Sequence, residues 1–263
     1  MTQPGEPSTL AGQAPSGTTA PAPTPVTPAP VGVIGGVGPL ATAYFLQLVV
    51  QLTQAERDQD HLDMVVLNHA TIPDRTAFIL GRSTEDPAPV LANDARRLER
   101  FGVSFLVMPC NTAHYFTQQV IDSTRVPLLS IIDVTVAAVR ERQPGLTQVG
   151  LLATEGTATS GVYQDAFAAV GIETLLPDAA DQAVVNSIIY DQVKAGQPVD
   201  IGALHGVAQR LQARGAGEIV LGCTELSVVA ADHALLDDPV FVDSMDQLAR
   251  ATIRRAGHRV REG

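Results

Sequence analysis

Two cysteines are the residues of this chain whose type and position favour chemistry. Cys110 and Cys223 are the only cysteines among 263 residues, and each follows a predicted buried strand and precedes a turn that opens a helix. Ligands of open parallel sheets bind at the carboxyl ends of the strands, where a helix N-terminus also favours a thiolate. Two such groups facing one another can take a proton from one side of a carbon atom and return a proton to the other side.

An internal repeat places the two cysteines at matched positions. Features of the first half recur in the second half at a constant offset of 113 residues (210 − 97 = 223 − 110 = 113). They are Arg97-Leu98 with Arg210-Leu211, Gly102 with Gly215, Cys110 with Cys223, and Asn111 with Thr224. A single buried cysteine is usually an inert packing residue, but a matched pair in a duplicated unit favours a functional role.

The pattern from Val31 onwards predicts an α/β fold. Short β-branched or aliphatic runs alternate with amphipathic stretches of helical period, as in βαβ units around a parallel sheet. The predicted strands lie at 31–34, 64–67, 105–108, 126–131, 149–153 and 219–221. One helix is predicted to start at Pro39, and others lie at 157–170, 181–195, 200–214 and 245–256.

The repeat divides the chain into two similar α/β lobes with parallel-type sheets, related by pseudo-twofold symmetry. We expect the first lobe at 31–132 together with 237–263, and the second lobe at 133–236. Residues 1–30 are rich in Pro, Ala and Thr. We expect them to form a disordered tail, because this composition buries too little apolar surface to offset the entropy of ordering.

Composition excludes several classes of partner. The formal net charge of −11 and the pI near 4.8 argue against nucleic acid and anionic membranes, which select basic surfaces. No segment approaches the roughly 18 to 20 apolar residues of a membrane span. The first basic residue is Arg57 and prolines interrupt the stretch before it, so no export signal is predicted. With so few cysteines, we expect reduced thiols and a cytoplasmic location.

Three motifs, spread over most of the chain from Val31 onwards, carry a family resemblance. They are GGVGPLAT at 35–42, PCNTAH at 109–114 and LGCTEL at 221–226. Their joint occurrence resembles the aspartate/glutamate racemase family. This resemblance implies two similar α/β lobes with the active site between them, no pyridoxal phosphate or other cofactor, an acidic amino acid as substrate, and a homodimer.

The resemblance also implies roles for individual residues. Cys110 and Cys223 would be the two acid/base thiols of the racemase. Asn111, Thr112 and Thr224 would surround the α-carboxylate and amino group of the substrate. Two cationic residues, Arg75 and Lys194, match the positions that hold the side-chain carboxylate in aspartate racemases.

Both cationic residues also have a rationale of their own. An arginine can bind a carboxylate through two parallel hydrogen bonds, and a lysine adds a point charge. Lys194 is the only lysine of the chain. The alternatives are a solvated loop charge for Arg75 and a favourable helix-end charge for Lys194, just before Gly196.

Further residues could stabilise the carbanion-like transition state or support the thiols. The candidates for substrate binding are the backbone N–H groups of Gly36 and Val37 and the hydroxyls of Thr154 and Thr157, although these threonines are equally suited to capping a helix. Glu225 and His114 are auxiliary candidates, the latter with an exposed or helix-capping position as the alternative. The remaining candidates, as supporting residues, are His69, Tyr190 and Asp133. The histidines have no metal-ligand spacing, so no metal site is predicted.

Other interpretations stay open at this point. GVGPLA at 36–41 fits a dinucleotide-binding fingerprint, but the second strand ends in VLNH at 66–69, without the acidic residue that holds a ribose. A pyridoxal phosphate racemase would need Lys194 for a Schiff base. A periplasmic-type binding protein would have two lobes, but it would also have an export signal and no need for two rim thiols.

Within the superfamily, hydantoin racemase, maleate isomerase and glutamate racemase are the alternatives. Glutamate racemases tend to carry Cys-Thr-His at the second thiol, whereas this chain has Cys-Thr-Glu at 223–225. This difference favours aspartate or a broader range of acidic substrates. Val37 replaces the methionine that is common in the first motif, which leaves the preference for a substrate side chain open.

Overall fold

The fold contains two four-stranded parallel sheets. The computed structural model describes Met1 and residues 29–261. The strands are β1 Val31–Gly35, β2 Met64–Asn68, β3 Leu106–Val107, β4 Leu128–Leu129, β5 Gln148–Ala153, β6 Glu173–Leu175, β7 Glu218–Gly222 and β8 Phe241–Asp243. The sheet orders are β2-β1-β3-β4 and β6-β5-β7-β8, so the same topology occurs twice. The predicted α/β fold with two similar lobes is confirmed.

Helices connect the strands and cover the sheets. Within the described residues they are α1 Pro39–Leu52, α2 Arg75–Ile79, α3 Ala88–Arg100, α4 Thr117–Asp122, α5 Ile131–Arg142, α6 Glu155–Ser160, α7 Val162–Ala168, α8 Ala179–Ser187, α9 Ile201–Ala213, α10 Thr224–Asp232 and α11 Ser244–Arg255. A π-helix, Ile188–Val193, continues directly from α8, and short 3-10 helices lie at Asp58–Asp60, Thr112–Phe116 and Leu235–Asp237.

The central strands bring the cysteines to equivalent edges of the two sheets. β1, β3 and β7 are buried along their whole length, because parallel strands with helices on both faces consist of continuous apolar runs. β3 and β7 are the third strands in their respective sheet orders. Cys110 lies three residues after the end of β3, and Cys223 follows β7 directly as the N-cap of α10.

The end of the chain joins the two lobes. α11 contacts both α1 and α5, and one apolar core contains Val33 of β1 together with Val220 of β7. The expected division assigned 237–263 to the first lobe. Within that segment β8 pairs with β7 in the second sheet, whereas α11 packs on α1, which follows the first strand of the first sheet.

Several elements differ from those predicted. The helix expected at 157–170 is interrupted between α6 and α7 by Gly161, whose φ of 77° lies in the left-handed region and ends a right-handed helix. The helix expected at 181–195 becomes a π-helix from Ile188. The strand expected at 126–131 is limited to β4, because Ser130 caps the N-terminus of α5. The short strands β6 and β8 were not predicted.

No helix within residues 29–261 has both the length and the apolar character needed to cross a membrane. The disordered tail expected at 1–30 falls outside the described residues, apart from Met1, Ala29 and Pro30, and it stays a prediction.

Candidate active site

Both cysteines line one cleft between the lobes. Cys110 and Cys223 are 6% and 4% exposed, so each thiol is largely shielded from bulk water. The other residues that line the cleft are Val37, Asp74, Arg75, Thr76, Asn111, Thr112, Thr154, Tyr190, Lys194, Thr224 and Glu225. Cys110 and Cys223 each pack against a separate apolar core, but both also line this one cavity.

A carboxylate hydrogen-bonds the second thiol. The Cys223 Sγ–H donates to Oε2 of Glu225 at 3.0 Å, and the Thr224 hydroxyl donates to the same oxygen at 3.2 Å. Burial raises the pKa of the Cys223 thiol well above its ordinary value, and the neighbouring Glu225 carboxylate raises it further. In this arrangement Cys223 keeps its proton at neutral pH.

A cation lies next to that carboxylate. It is Lys194, which directly follows the π-helix Ile188–Val193. Nζ of Lys194 lies 3.5 Å from Oε1 of Glu225 and 4.7 Å from the centroid of the Tyr190 ring. Burial by itself would lower the pKa of Lys194, but the Glu225 carboxylate leaves that pKa raised above its ordinary value. Lys194 is therefore charged, and its charge is shared with Glu225 before any substrate binds.

Arg75 presents an unused edge of its guanidinium group. The Asp74 side chain accepts from Ala77 N–H and so caps α2, which fixes Arg75 as the first residue of that helix. Nη1 of Arg75 donates to the carbonyl oxygens of Ile72 and Pro73, at 3.4 and 3.1 Å. Nε of Arg75 is buried and has no hydrogen-bond partner among the described residues. The edge formed by Nε and Nη2 matches the two oxygens of a carboxylate.

Three threonine hydroxyls form a buried cluster across the cleft. Oγ1 of Thr112 lies 3.0 Å from Oγ1 of Thr154 and 2.8 Å from Oγ1 of Thr157. Thr154 also caps α6, because its hydroxyl oxygen accepts from Thr157 N–H at 3.1 Å. Thr112 and Thr154 line the cleft, whereas Thr157 lies behind them, so the capping interpretation and the position at the cleft both hold for Thr154.

The glycine turn only partly agrees with the expectation. Val37 lines the cleft, but the N–H of Gly36 donates to Oγ1 of Thr42 at 2.9 Å, so its proton is used within the first lobe. Gly36 has a φ of 84°, and a Cβ there would lie 2.3 Å from the backbone of His69. Gly36 is therefore required for a close backbone approach, and its N–H does not serve a substrate.

His114 is buried and supports the first thiol, and its ring also accepts from the N–H of the first residue of α5, so the capping interpretation holds and the exposed one does not. Its Nδ1 lies 2.8 Å from the carbonyl oxygen of Cys110, to which it donates, and its Nε2 accepts from Ile131 N–H at 3.1 Å. Burial lowers the pKa of His114 to about 4, so the ring is neutral. Both ring nitrogens are occupied, which leaves neither available for proton exchange.

The remaining candidates have different outcomes. Tyr190 lines the cleft, and its hydroxyl donates to Oγ1 of Thr76 at 3.4 Å. His69 does not line the cleft, and its Nδ1 lies 2.7 Å from the buried Asp94 carboxylate. Asp133 is exposed in the first turn of α5. Within residues 29–261 no group of three or more His, Cys, Asp or Glu could hold a metal ion.

Sequence reasoning missed two lining residues, Asp74 and Thr76. They flank Arg75 directly, and an aspartate before a short apolar helix is a capping signal that could have indicated the start of α2. Their position at the cleft depends on the packing of α2 against α6 of the other lobe, which no local pattern reveals.

Comparisons with known proteins agree with this geometry. The broad specificity amino-acid racemase RacX of Bacillus subtilis (strain 168) is 28% identical over 229 residues, which cover 85% of this chain and 96% of RacX. The Picrophilus torridus aspartate racemase structure superposes with a TM-score of 0.74 at 30% identity, covering 89% of this chain and 96% of that chain. An aspartate racemase homologue from Pyrococcus horikoshii OT3 gives a TM-score of 0.71 at 25% identity, covering 87% and 99% of the two chains.

A family model also matches the chain. It is described as Asp/Glu/Hydantoin racemase, and the match extends over residues 34–252, which include both lobes and both cysteines. The resemblance drawn from the three sequence motifs is thereby confirmed, and the chain belongs to the Asp/Glu/hydantoin racemase family.

Proposed function

We propose that this chain racemises an acidic amino acid, aspartate or glutamate, by proton transfer between Cys110 and Cys223 without a cofactor. The observation that carries the proposal is that both thiols line one cleft from opposite lobes. One sulfur, as the thiolate, takes the α-proton, and the other, as the thiol, gives a proton to the opposite face. The configuration inverts because the proton leaves and returns on different sides of the α-carbon.

The cations of the cleft favour a dicarboxylic substrate. The unused Nε–Nη2 edge of Arg75 offers two parallel donors to a side-chain carboxylate, and Lys194 adds positive charge nearby. The similarity to the Picrophilus torridus aspartate racemase supports this assignment. We therefore expect aspartate and glutamate to be better substrates than neutral amino acids.

Polar groups around the thiols would serve the α-carboxylate. The weak acidity of an α-proton next to a carboxylate requires oriented donors that stabilise the carbanion-like transition state. Asn111, Thr112, Thr154 and Thr224 supply amide and hydroxyl groups in a cleft largely shielded from water. Electrostatic stabilisation is stronger in such surroundings than in bulk solvent.

The decisive experiment incubates the pure protein with a panel of L- and D-amino acids, without added cofactor, in D2O. Chiral chromatography measures racemisation, and mass spectrometry measures deuterium at the α-carbon. We expect both signals for aspartate or glutamate from either enantiomer. A wild-type protein that neither inverts nor deuterates any acid of the panel contradicts the proposal.

A broader amino-acid specificity is the second candidate. RacX, which is similar over most of both chains, is described as a broad specificity enzyme. The contact between Lys194 and Glu225 also reduces the net positive charge that the cleft offers to a second carboxylate. Comparable turnover of neutral and acidic amino acids in the same panel would favour this candidate. The homodimer and the cytoplasmic location stay predictions.

A further inference from the structure

The side chain of Asn111, which follows the first thiol, is held by Tyr163 of the second lobe and by Ser244 at the start of α11. Asn111 is 2% exposed, and its carboxamide is hydrogen-bonded at both ends. The Tyr163 hydroxyl donates to its Oδ1 at 2.6 Å, and its Nδ2 donates to Oγ of Ser244 at 3.1 Å. The Ser244 hydroxyl in turn donates to the carbonyl oxygen of Leu221 at 2.8 Å.

These partners connect the supports of the two thiols. Tyr163 lies on α7, Ser244 is the first residue of α11, and Leu221 lies in β7, two residues before Cys223. A continuous chain of hydrogen bonds therefore runs from the residue after Cys110 to the strand that delivers Cys223. We call Tyr163, Asn111, Ser244 and the Leu221 carbonyl the inter-lobe chain.

The members of the inter-lobe chain keep these roles at neutral pH. Tyr163 and Ser244 are fully buried, and burial raises the pKa of Tyr163 above its ordinary value, so the phenol retains the proton that it donates. A carboxamide has two N–H groups and two acceptor lone pairs. One of each is used in the inter-lobe chain, which leaves one N–H and one lone pair of Asn111 for the cleft that it lines.

We propose that Tyr163 and Ser244 are positioning residues, which fix Asn111 and thereby hold Cys110 in register with Cys223 across the cleft. This inference rests on the proposed function, because register matters only if a proton passes between the sulfurs and one substrate. Neither residue lines the cleft, so neither touches the substrate. Small errors in the placement of reacting groups lower the rate of a chemical step steeply.

Tyr163→Phe tests the proposal, because it removes one hydroxyl and keeps the buried ring. We expect kcat for the best acidic substrate to fall about tenfold or more, whereas KM changes less than about twofold because Arg75 is unaffected. We also expect the ratio of early deuterium wash-in between the L- and D-enantiomers to change. Loss of a residue that only stabilises the fold would leave the wash-in ratio unchanged, and it would not lower kcat while KM stays constant.

Phe167→Leu is the matched control. Phe167 lies on the same helix, is fully buried, and stacks on the Tyr163 ring with centroids 6.0 Å apart, but it makes no bond in the inter-lobe chain. We expect this variant to lower the melting temperature as much as Tyr163→Phe does, with kcat near that of wild type. Equal losses of kcat in the two variants, or an unchanged kcat in folded Tyr163→Phe, would overturn the proposal.

Ser244→Ala provides a second test, which decides alone if Tyr163→Phe does not fold. It breaks the inter-lobe chain at the other end of the Asn111 carboxamide, so the same fall in kcat is expected with KM retained. A folded Ser244→Ala variant with wild-type kcat and wash-in ratio refutes the positioning role. Failure of the proposed function itself is distinguishable, because wild type would then be inert on the whole panel.

Discussion

The two lobes share a strand order but surround their thiols with different groups. In the first lobe Cys110 is followed by the amide of Asn111 and lies above His114, whose ring is neutral. In the second lobe Cys223 is followed by Thr224 and Glu225, and the Glu225 carboxylate contacts both the thiol and Lys194. We call the residues around each thiol its rim. The rim of Cys110 is neutral next to the sulfur, and the rim of Cys223 carries the ion pair of Glu225 and Lys194.

The difference shows that duplication preserves position, while the residues after each strand decide the chemistry. A repeat of the α/β unit brings both sulfurs to the carboxyl ends of equivalent strands. The carboxylate beside Cys223 then disfavours its thiolate, because two negative charges would lie close together in a buried site. We therefore expect Cys223 to be the proton donor of the resting enzyme and Cys110 the acceptor.

Removal of either thiol should give the largest effect. We expect Cys110→Ala and Cys223→Ala each to lower the rate of racemisation by about 10²- to 10⁴-fold, the range attributed to positioned acid/base groups. Chiral chromatography measures the loss, and circular dichroism confirms that the variants are folded. If the rims differ as described, Cys223→Ala keeps deuterium exchange on the one enantiomer that Cys110 deprotonates. Wild-type racemisation by either variant contradicts the paired mechanism.

Replacement of the second-lobe carboxylate should make the two rims more alike. In Glu225→Gln the contribution of burial to the raised pKa of Cys223 remains, but the contributions of the charge and the hydrogen bond of Glu225 are lost. The thiol pKa should therefore fall, and Lys194, freed from its partner, favours the thiolate further. Racemisation should fall about 10- to 100-fold because the proton donor is impaired.

The pH dependence of alkylation by iodoacetamide measures that change. The experiment compares the double variant Cys110→Ala/Glu225→Gln with the single variant Cys110→Ala as the control. In both proteins Cys223 is the only cysteine. The midpoint of alkylation should move to lower pH when Glu225→Gln is added. An unmoved or higher midpoint would show that Glu225 does not control the thiol.

Arg75 tests whether the cations of the cleft select the substrate. Arg75→Ala removes a charge-assisted contact of about 1.5 to 3 kcal/mol, so KM for aspartate or glutamate should rise about 10- to 150-fold. Arg75→Lys keeps the charge but loses the paired donors, and it should give an intermediate KM. Steady-state kinetics on an acidic and a neutral amino acid provide the comparison. Equal changes for both substrates would argue against recognition of the side chain.

The sequence was sufficient for features that local patterns encode. Apolar runs, the offset of 113 residues and the motifs around Cys110 and Cys223 indicated two similar lobes with rim cysteines. It was insufficient where contacts between distant residues decide. The π-helix that precedes Lys194 has no sequence signal of its own, since its helical period is interrupted for only one turn.

The contacts made by glycine backbone were equally hidden. A Cβ on Gly156 would lie 2.7 Å from Oγ1 of Thr76, so α2 packs on α6 only because residue 156 is glycine. Likewise, the proton of the Gly36 N–H is used by Thr42, six residues further on, and not by a substrate. Glycine patterns predict turns well, but they do not reveal which group the freed backbone meets.

His114, next to Cys110, should make the free energy of unfolding depend on pH. Its replacement should have the smallest effect on the reaction among these variants. Its folded pKa of about 4 lies below the ordinary value of 6.5, so the unfolded chain binds more protons between these values. Stability from this residue is complete above pH 6.5 and is lost as the pH falls towards 4, by at most about 1.4 kcal/mol per pH unit. His114→Gln keeps a donor and an acceptor but cannot titrate, so its urea unfolding between pH 4.5 and 7.5 should lack that slope. Parallel free energies of unfolding for wild type and variant would mean that His114 is not the buried neutral support of Cys110.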